Sequence, residues 1–188
     1  MKKNMIAGAL ALLLCGGAPA LAQGTMSGSM HSDPMVGGAA MSPNKTIVAN
    51  ALNSKDHTTL VALVKKAGLV ATLSGPGPFT VFAPTNEAFD KIPSATLTAV
   101  GNDPALLKKV LTYHVVPGRL DSAAIAKMIQ DGGGKATLKT VEGEDLTAMM
   151  DGDKLVLVDA KGGRSTVTIA DVYQSNGVIH VVDSVLMP

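Results

Sequence analysis

Aromatic residues are scarce in this chain: it has no tryptophan, three phenylalanines and two tyrosines among 188 residues. So small a supply argues against a site that stacks rings along a polyene. An excess of charge of one sign is also lacking, since 16 basic residues stand against 15 acidic ones. With the basic residues scattered, there is no electrostatic footprint for nucleic acid or for an anionic membrane surface. The single cysteine, Cys15, rules out an intrachain disulfide, so stability has to come from a packed core. Motifs of catalysis are missing too. There is no Gly-x-Ser-x-Gly elbow, no phosphate-cradling glycine loop and no His-Glu-x-x-His helix, and the four histidines, at 31, 57, 114 and 180, are far apart. The expectation is a protein that is not an enzyme and needs no cofactor.

What is present begins with an export signal. Lys2 and Lys3 form a positive n-region, Ile6 to Leu14 an apolar core, and Ala20-Leu21-Ala22 a small-x-small cleavage site. Residues 1–22 therefore read as a signal peptide cut after Ala22. The alternative, a lipid anchor on Cys15, is disfavoured by the bulky Leu14 before it. The apolar run falls well short of the roughly 20 residues of a spanning helix, so the mature chain is expected to carry no transmembrane segment. Loss of Lys2 and Lys3 leaves 14 basic against 15 acidic residues, a formal charge of −1. A secreted or periplasmic, monomeric protein is expected.

Residues 23–43, QGTMSGSMHSDPMVGGAAMSP, have no helical or alternating period and read as a flexible linker. Met26, Met30, His31, Met35 and Met41 fall within it, and thioether and imidazole are ligands for soft Cu(I). They are candidate copper ligands, with compositional drift as the competing account. Residues 44–188 suffice for one domain. Its first half is helical: Leu60, Leu63, Val64 and Ala67 share a face that ends at Gly68, Thr85 caps TNEAFDKI, and Asp103-Pro104 opens a helix with Leu106, Leu107, Val110 and Leu111 on one side. DSAAIAKMI follows, capped by Asp121 or Ser122. After Asp131-Gly-Gly-Gly come five strands, KATLKTV, DLTAMM, KLVLVD, STVTIADV and VIHVVDSVL, separated by turn signals. Asn176-Gly177 is expected to make a tight turn with positive φ. Helices first and strands later define an α+β domain with a mainly antiparallel sheet system.

Three segments, FTVFAPTNEAFDKIP (79–93), LTYHVVPGRL (111–120) and NGVIHVVDSVLMP (176–188), together resemble the two boxes and the central Tyr-His motif of the fasciclin domain. The resemblance covers residues 44–188. It implies a wedge-shaped antiparallel β-sandwich with flanking helices in the N-terminal half. It also implies a non-enzymatic role in cell-surface or matrix adhesion, with an extracellular or envelope protein or a matrix component as partner. Family contact motifs fall on Tyr113-His114 and on Asp171-Val172. At the second, the Glu-Pro often found before the aspartate is replaced by Ile169-Ala170, and the chain has no Arg-Gly-Asp.

Two readings of these residues stand side by side. Tyr113 and His114 are either a partner contact or a buried tyrosine beside a hydrogen-bonded histidine. If the chain is extended there, one ring enters the core and the other faces out. Asp171 either meets a partner or caps or turns the chain leaving its strand. An apolar ligand of carotenoid type is implied only by other fasciclin-like proteins.

Overall fold

The computed structural model describes residues 33–188. Helices form where local capping allows. Helix α1 (Ile47–Ala51) starts at Thr46, whose hydroxyl accepts the Ala49 N–H. A 3-10 turn at Lys55–His57 leads into α2 (Thr58–Lys66), which turns Leu60 and Val64 inward. Helix α3 (Val70–Ser74) follows, then α4 (Asn86–Asp90), capped by Thr85. Helix α5 (Ser94–Asn102) precedes α6 (Pro104–Tyr113), where the Asp103 side chain accepts the N–H groups of Ala105 and Leu106 and proline takes the first turn. Asp121, not Ser122, caps α7 (Ser122–Asp131).

The strands are β1 (Met35–Val36), β2 (Ala39–Ala40), β3 (Phe79–Pro84), β4 (Val115–Pro117), β5 (Lys135–Lys139), β6 (Asp145–Asp151), β7 (Lys154–Val158), β8 (Arg164–Gln174) and β9 (Gly177–Val182). The first two form a hairpin, and the other seven form one sheet in the order β4-β3-β9-β8-β7-β6-β5. All pairs in that sheet are antiparallel except β3 and β9, which run parallel from Phe79↔Gly177 to Pro84↔Val182. Long β8 pairs β7 through its first residues and β9 through its last, with irregular register between Val167 and Val172. The sheet curls until its ends approach, where the Val141 N–H donates to the Val115 carbonyl at 2.7 Å.

Because side chains alternate along a strand, β3 and β9 serve two cores. Val81, Ala83, Ile179 and Val181 face the core built with α1 to α6, while Phe82 and Val182 face a second core inside the curled sheet. Ile125 and Ile129 of α7 close that second core together with Leu138, Leu146, Leu157 and Leu186.

The α+β architecture with a mainly antiparallel sheet expected from the sequence is the one observed; its one parallel pair sets the first box beside the last across almost a hundred residues of chain. Two expectations are corrected. Gly177 is absent from the residues with positive φ, and it is required for another reason: a Cβ there would collide with the Phe79 carbonyl. Residues 33–43 are not a free linker. Val36 and Met41 are buried in the helix-side core, and the Asn50 side chain holds Ser42 through both its amide groups. The glycines there make a tight turn: Gly37 has φ +59° and lies where any side chain would strike Ser54, and its carbonyl accepts the Lys55 N–H at 3.1 Å. Residues 1–32, with the signal peptide, the rest of the linker, Met26, Met30 and His31, lie outside the described residues.

Candidate functional site

The Tyr-His pair sits where α6 hands over to β4. Tyr113 is the last residue of α6, and His114 keeps a helical φ of −82° and ψ of −1° before the chain extends at Val115. The two rings diverge, but neither reaches the surface: Tyr113 is 0% exposed and His114 3%. The tyrosine enters the core of the curled sheet. Its hydroxyl donates to the Asp145 carbonyl at 3.1 Å and accepts the Ala160 N–H at 3.2 Å. The histidine enters the helix side. Its Nδ1–H donates to the Val110 carbonyl at 2.8 Å, and Nε2 accepts the Leu186 N–H at 3.0 Å. Burial pulls its pKa down to about 4, against smaller opposing effects from the Val110 carbonyl and Asp159. A neutral imidazole bonded at both nitrogens is fixed in place and has no free atom for proton transfer. The contact reading of Tyr113 and His114 is thereby corrected: both rings stitch α6, β6, the β7–β8 turn and the C-terminal segment together.

Val172 is likewise 0% exposed and belongs to the helix-side core, so it offers no contact surface. Asp171 is different. It is the one non-glycine described residue with positive φ, +59°, a conformation aspartate tolerates better than most. It lies in the irregular stretch of β8, and its carboxylate accepts the Ser122 N–H at 2.6 Å and the Ser122 hydroxyl. The strand thus supplies α7 with a second capping carboxylate beside Asp121, where the helix dipole favours negative charge. Next to it the Arg119 guanidinium lies 5.0 Å from the Tyr173 ring centre. His180, buried under this corner, donates from Nε2 to the Leu120 carbonyl at 2.9 Å and stacks on Phe82.

An open groove of about 660 Å³ begins beside Asp171. β7 and β8 separate there, because their pairing ends at Val156↔Thr166. Ala170 and Thr168 form one wall, Met150, Asp153 and Lys154 the other, and Ser122 and Ala126 of α7 line it as well. Sequence reading missed this groove. Its signal is weak, since small residues at Ala123, Ala126 and Ala170 look like ordinary helix and strand filling. Sequence reading also missed Asn176 as a tie: its Oδ1 accepts the Ile47 N–H, and its Nδ2 donates to Leu73 and Gly75.

Of the copper candidates, Met35 and Met41 fall among the described residues. Met41 is 2% exposed inside the core, whereas Met35 is 60% exposed. No group of three or more His, Cys, Asp or Glu among the described residues is placed to hold a metal ion. The apolar cavity beneath α1, α2 and α3 measures about 40 Å³, far below the roughly 300 Å³ at which small-molecule sites begin. No described helix is long and apolar enough to cross a membrane.

A curled mixed sheet with α1 to α6 packed on one face and α7 closing the other defines an α+β module with one open groove. The chain belongs to the fasciclin domain family, whose model matches residues 55–188. It is 41% identical to Protein sll1483 of Synechocystis over 92% of this chain and 89% of that one. It is 36% identical to Cell surface glycolipoprotein MPB83 of Mycobacterium bovis over 88% of this chain and 64% of that protein. A solved FAS1 domain pair from the insect cell adhesion molecule Fasciclin I superposes with a TM-score of 0.53 at 24% identity, over 68% of this chain and 44% of that one. At that identity the likeness shows the fold alone.

Proposed function

We propose that the chain is a non-enzymatic adhesion or protein-interaction module, secreted or periplasmic, and that it meets its partner through the groove between α7 and the split of β7 from β8. The observation that carries this reading is where the expected contact residues lie. Tyr113, His114 and Val172 are closed inside, so the part of the family contact region left nearer the surface is Asp171, whose neighbour Ala170 and hydrogen-bond partner Ser122 line a groove of about 660 Å³. Its walls offer exposed Met150 beside Asp153 and Lys154, a mixture of apolar and charged groups suited to a protein surface. A relative named as a cell surface glycolipoprotein supports the class.

The test is capture of envelope or extracellular proteins by the mature chain, using Met150→Arg with Ala170→Arg on opposite groove walls and Lys66→Glu on exposed α2 as control. Surface changes of this kind shift stability by less than about 0.5 kcal/mol, so the melting temperature reports that the fold is intact. Loss of capture in the groove variant alone supports the assignment. Full capture by the groove variant sinks it.

A further inference from the structure

His57 is set apart from the other two described histidines. It ends the 3-10 turn before α2 and is 2% exposed. Its Nδ1 lies 2.8 Å from the Ser54 hydroxyl, but Nε2 has no hydrogen-bond partner. His114 and His180, by contrast, are engaged at both nitrogens. A buried polar atom left unsatisfied is costly and needs a reason. The ring faces a small cavity whose other walls are Val36, Met41, Ala51, Ala83, Val172, Ile179 and Val181. Val36 ends β1 and Met41 follows β2, so the hairpin closes the cavity. That cover is light. Each strand has two residues, and the ties include Met41 N–H to the Pro34 carbonyl, Lys55 N–H to the Gly37 carbonyl and the Ser42–Asn50 contacts.

We propose that the β1–β2 hairpin is an acid-released latch: a second proton on the buried His57 ring sets a charge against apolar walls in the closed form, and the hairpin lifts away so that the charged ring reaches water. The surroundings favour this. β1, β3, β8 and β9, with Met41 just after β2, present the ring with apolar side chains, and α1 adds Ala51. On its own turn Asp56 is the charged group that favours protonation, while Lys55 is exposed; on α4, Asn86 holds the Lys55 carbonyl and Glu87 lines an outer recess with Asp56. Burial outweighs both the Ala83 carbonyl and Asp56, which favour protonation, and keeps the His57 pKa below 6.5. The open form, with the ring hydrated, binds the proton more tightly. Above pH 6.5 the latch is therefore closed, and each unit below favours opening by up to about tenfold until the closed form titrates too. Opening is local, because the sheet does not depend on the hairpin for its strand order.

Amide hydrogen exchange on the full mature chain at pH 7.5 and 5.5, corrected for the intrinsic rate at each pH, tests the latch. The opening constant at Met41 and Lys55 should rise by up to about tenfold while the Phe82 and Leu186 amides keep theirs. His57→Gln should remove the pH response. Gly37→Val, which forces a side chain onto Ser54, should leave the hairpin unprotected at both pH values and let His57 titrate near 6.5 in an NMR titration. The proposal is overturned if Met41 and Lys55 exchange alike at both pH values, if they open only together with Phe82 and Leu186, or if His57→Gln responds to pH as the wild type does.

Discussion

The two faces of the curled sheet share their strands but are filled by different rules. On the inner face, cross-strand register sets the packing: Ala136 lies opposite Ala148 and Leu138 opposite Leu146, so small and large pairs alternate in layers. A slip of one residue would turn every one of these side chains outward. On the helix side the filling comes from short helices that each offer a few buried residues, such as Ile47 and Val48 of α1 and Leu73 of α3. Helices of five residues cannot interdigitate as tightly as a register of strands. Cavities of about 40 Å³ and about 10 Å³ remain there, including the one under the hairpin. Order concentrates on one face and adjustability on the other, and Tyr113 and His114 mark the border.

The largest effect should come from removing the tyrosine on the ordered face. Tyr113→Ala is expected to cost about 3–5 kcal/mol, as buried aromatic truncations do. Tyr113→Phe, which leaves the Ala160 N–H without its acceptor, should cost about 1–3 kcal/mol. Urea unfolding measures both. A Tyr113→Ala variant as stable as wild type would remove the stitch reading and return the residue to the surface-contact account.

The next effect probes the same border through pH. The His114 pKa is lowered to about 4 in the fold, against about 6.5 in the unfolded chain. The unfolded state thus binds more protons throughout that window, and stability falls as pH drops from about 6.5 toward 4. By pH 4.5 the loss through His114 amounts to about 2–3 kcal/mol relative to pH 7.5. The check is the difference in pH dependence of urea unfolding between wild type and His114→Gln, since His57 and His180 are also lowered by burial and contribute in both proteins. Identical slopes would show that His114 is hydrated rather than locked between Val110 and Leu186.

How much of this was legible in the sequence follows from how local each cause is. Thr85, Asp103 and Asp121 cap helices through bonds to residues two or three positions on, so their signals are complete within a short stretch. The five later strands are also marked locally, by alternation and by turns. Helices α1, α3 and α5 went unread because they show too little apolar period, and α1 is held in part by Asn176, 129 residues away from Ile47. The parallel contact of β3 with β9 leaves only one trace, a glycine at 177, which invites a turn explanation although the cause is backbone proximity. At Asp171 the turn-or-cap reading pointed the right way, but the helix it caps starts 49 residues earlier, at Ser122. The groove had only a weak local signature, because it arises from where two strands part.

The smallest effect sharpens the contrast between the faces most directly, because it adds volume where the others remove groups. Val64 lines the cavity of about 40 Å³ on the helix side, and Ala148 is fully buried opposite Ala136 on the inner face. Val64→Ile adds one methylene next to existing space, so its cost should stay below about 1 kcal/mol and a small gain is compatible with the added burial. Ala148→Val adds two carbons where the facing residue is already small because the layer is thin, and overpacking of that kind costs about 1–3 kcal/mol. Paired melting curves decide between the two. If Val64→Ile destabilises as much as Ala148→Val, the helix side is packed as tightly as the sheet interior, and the distinction between an adjustable and an ordered face fails.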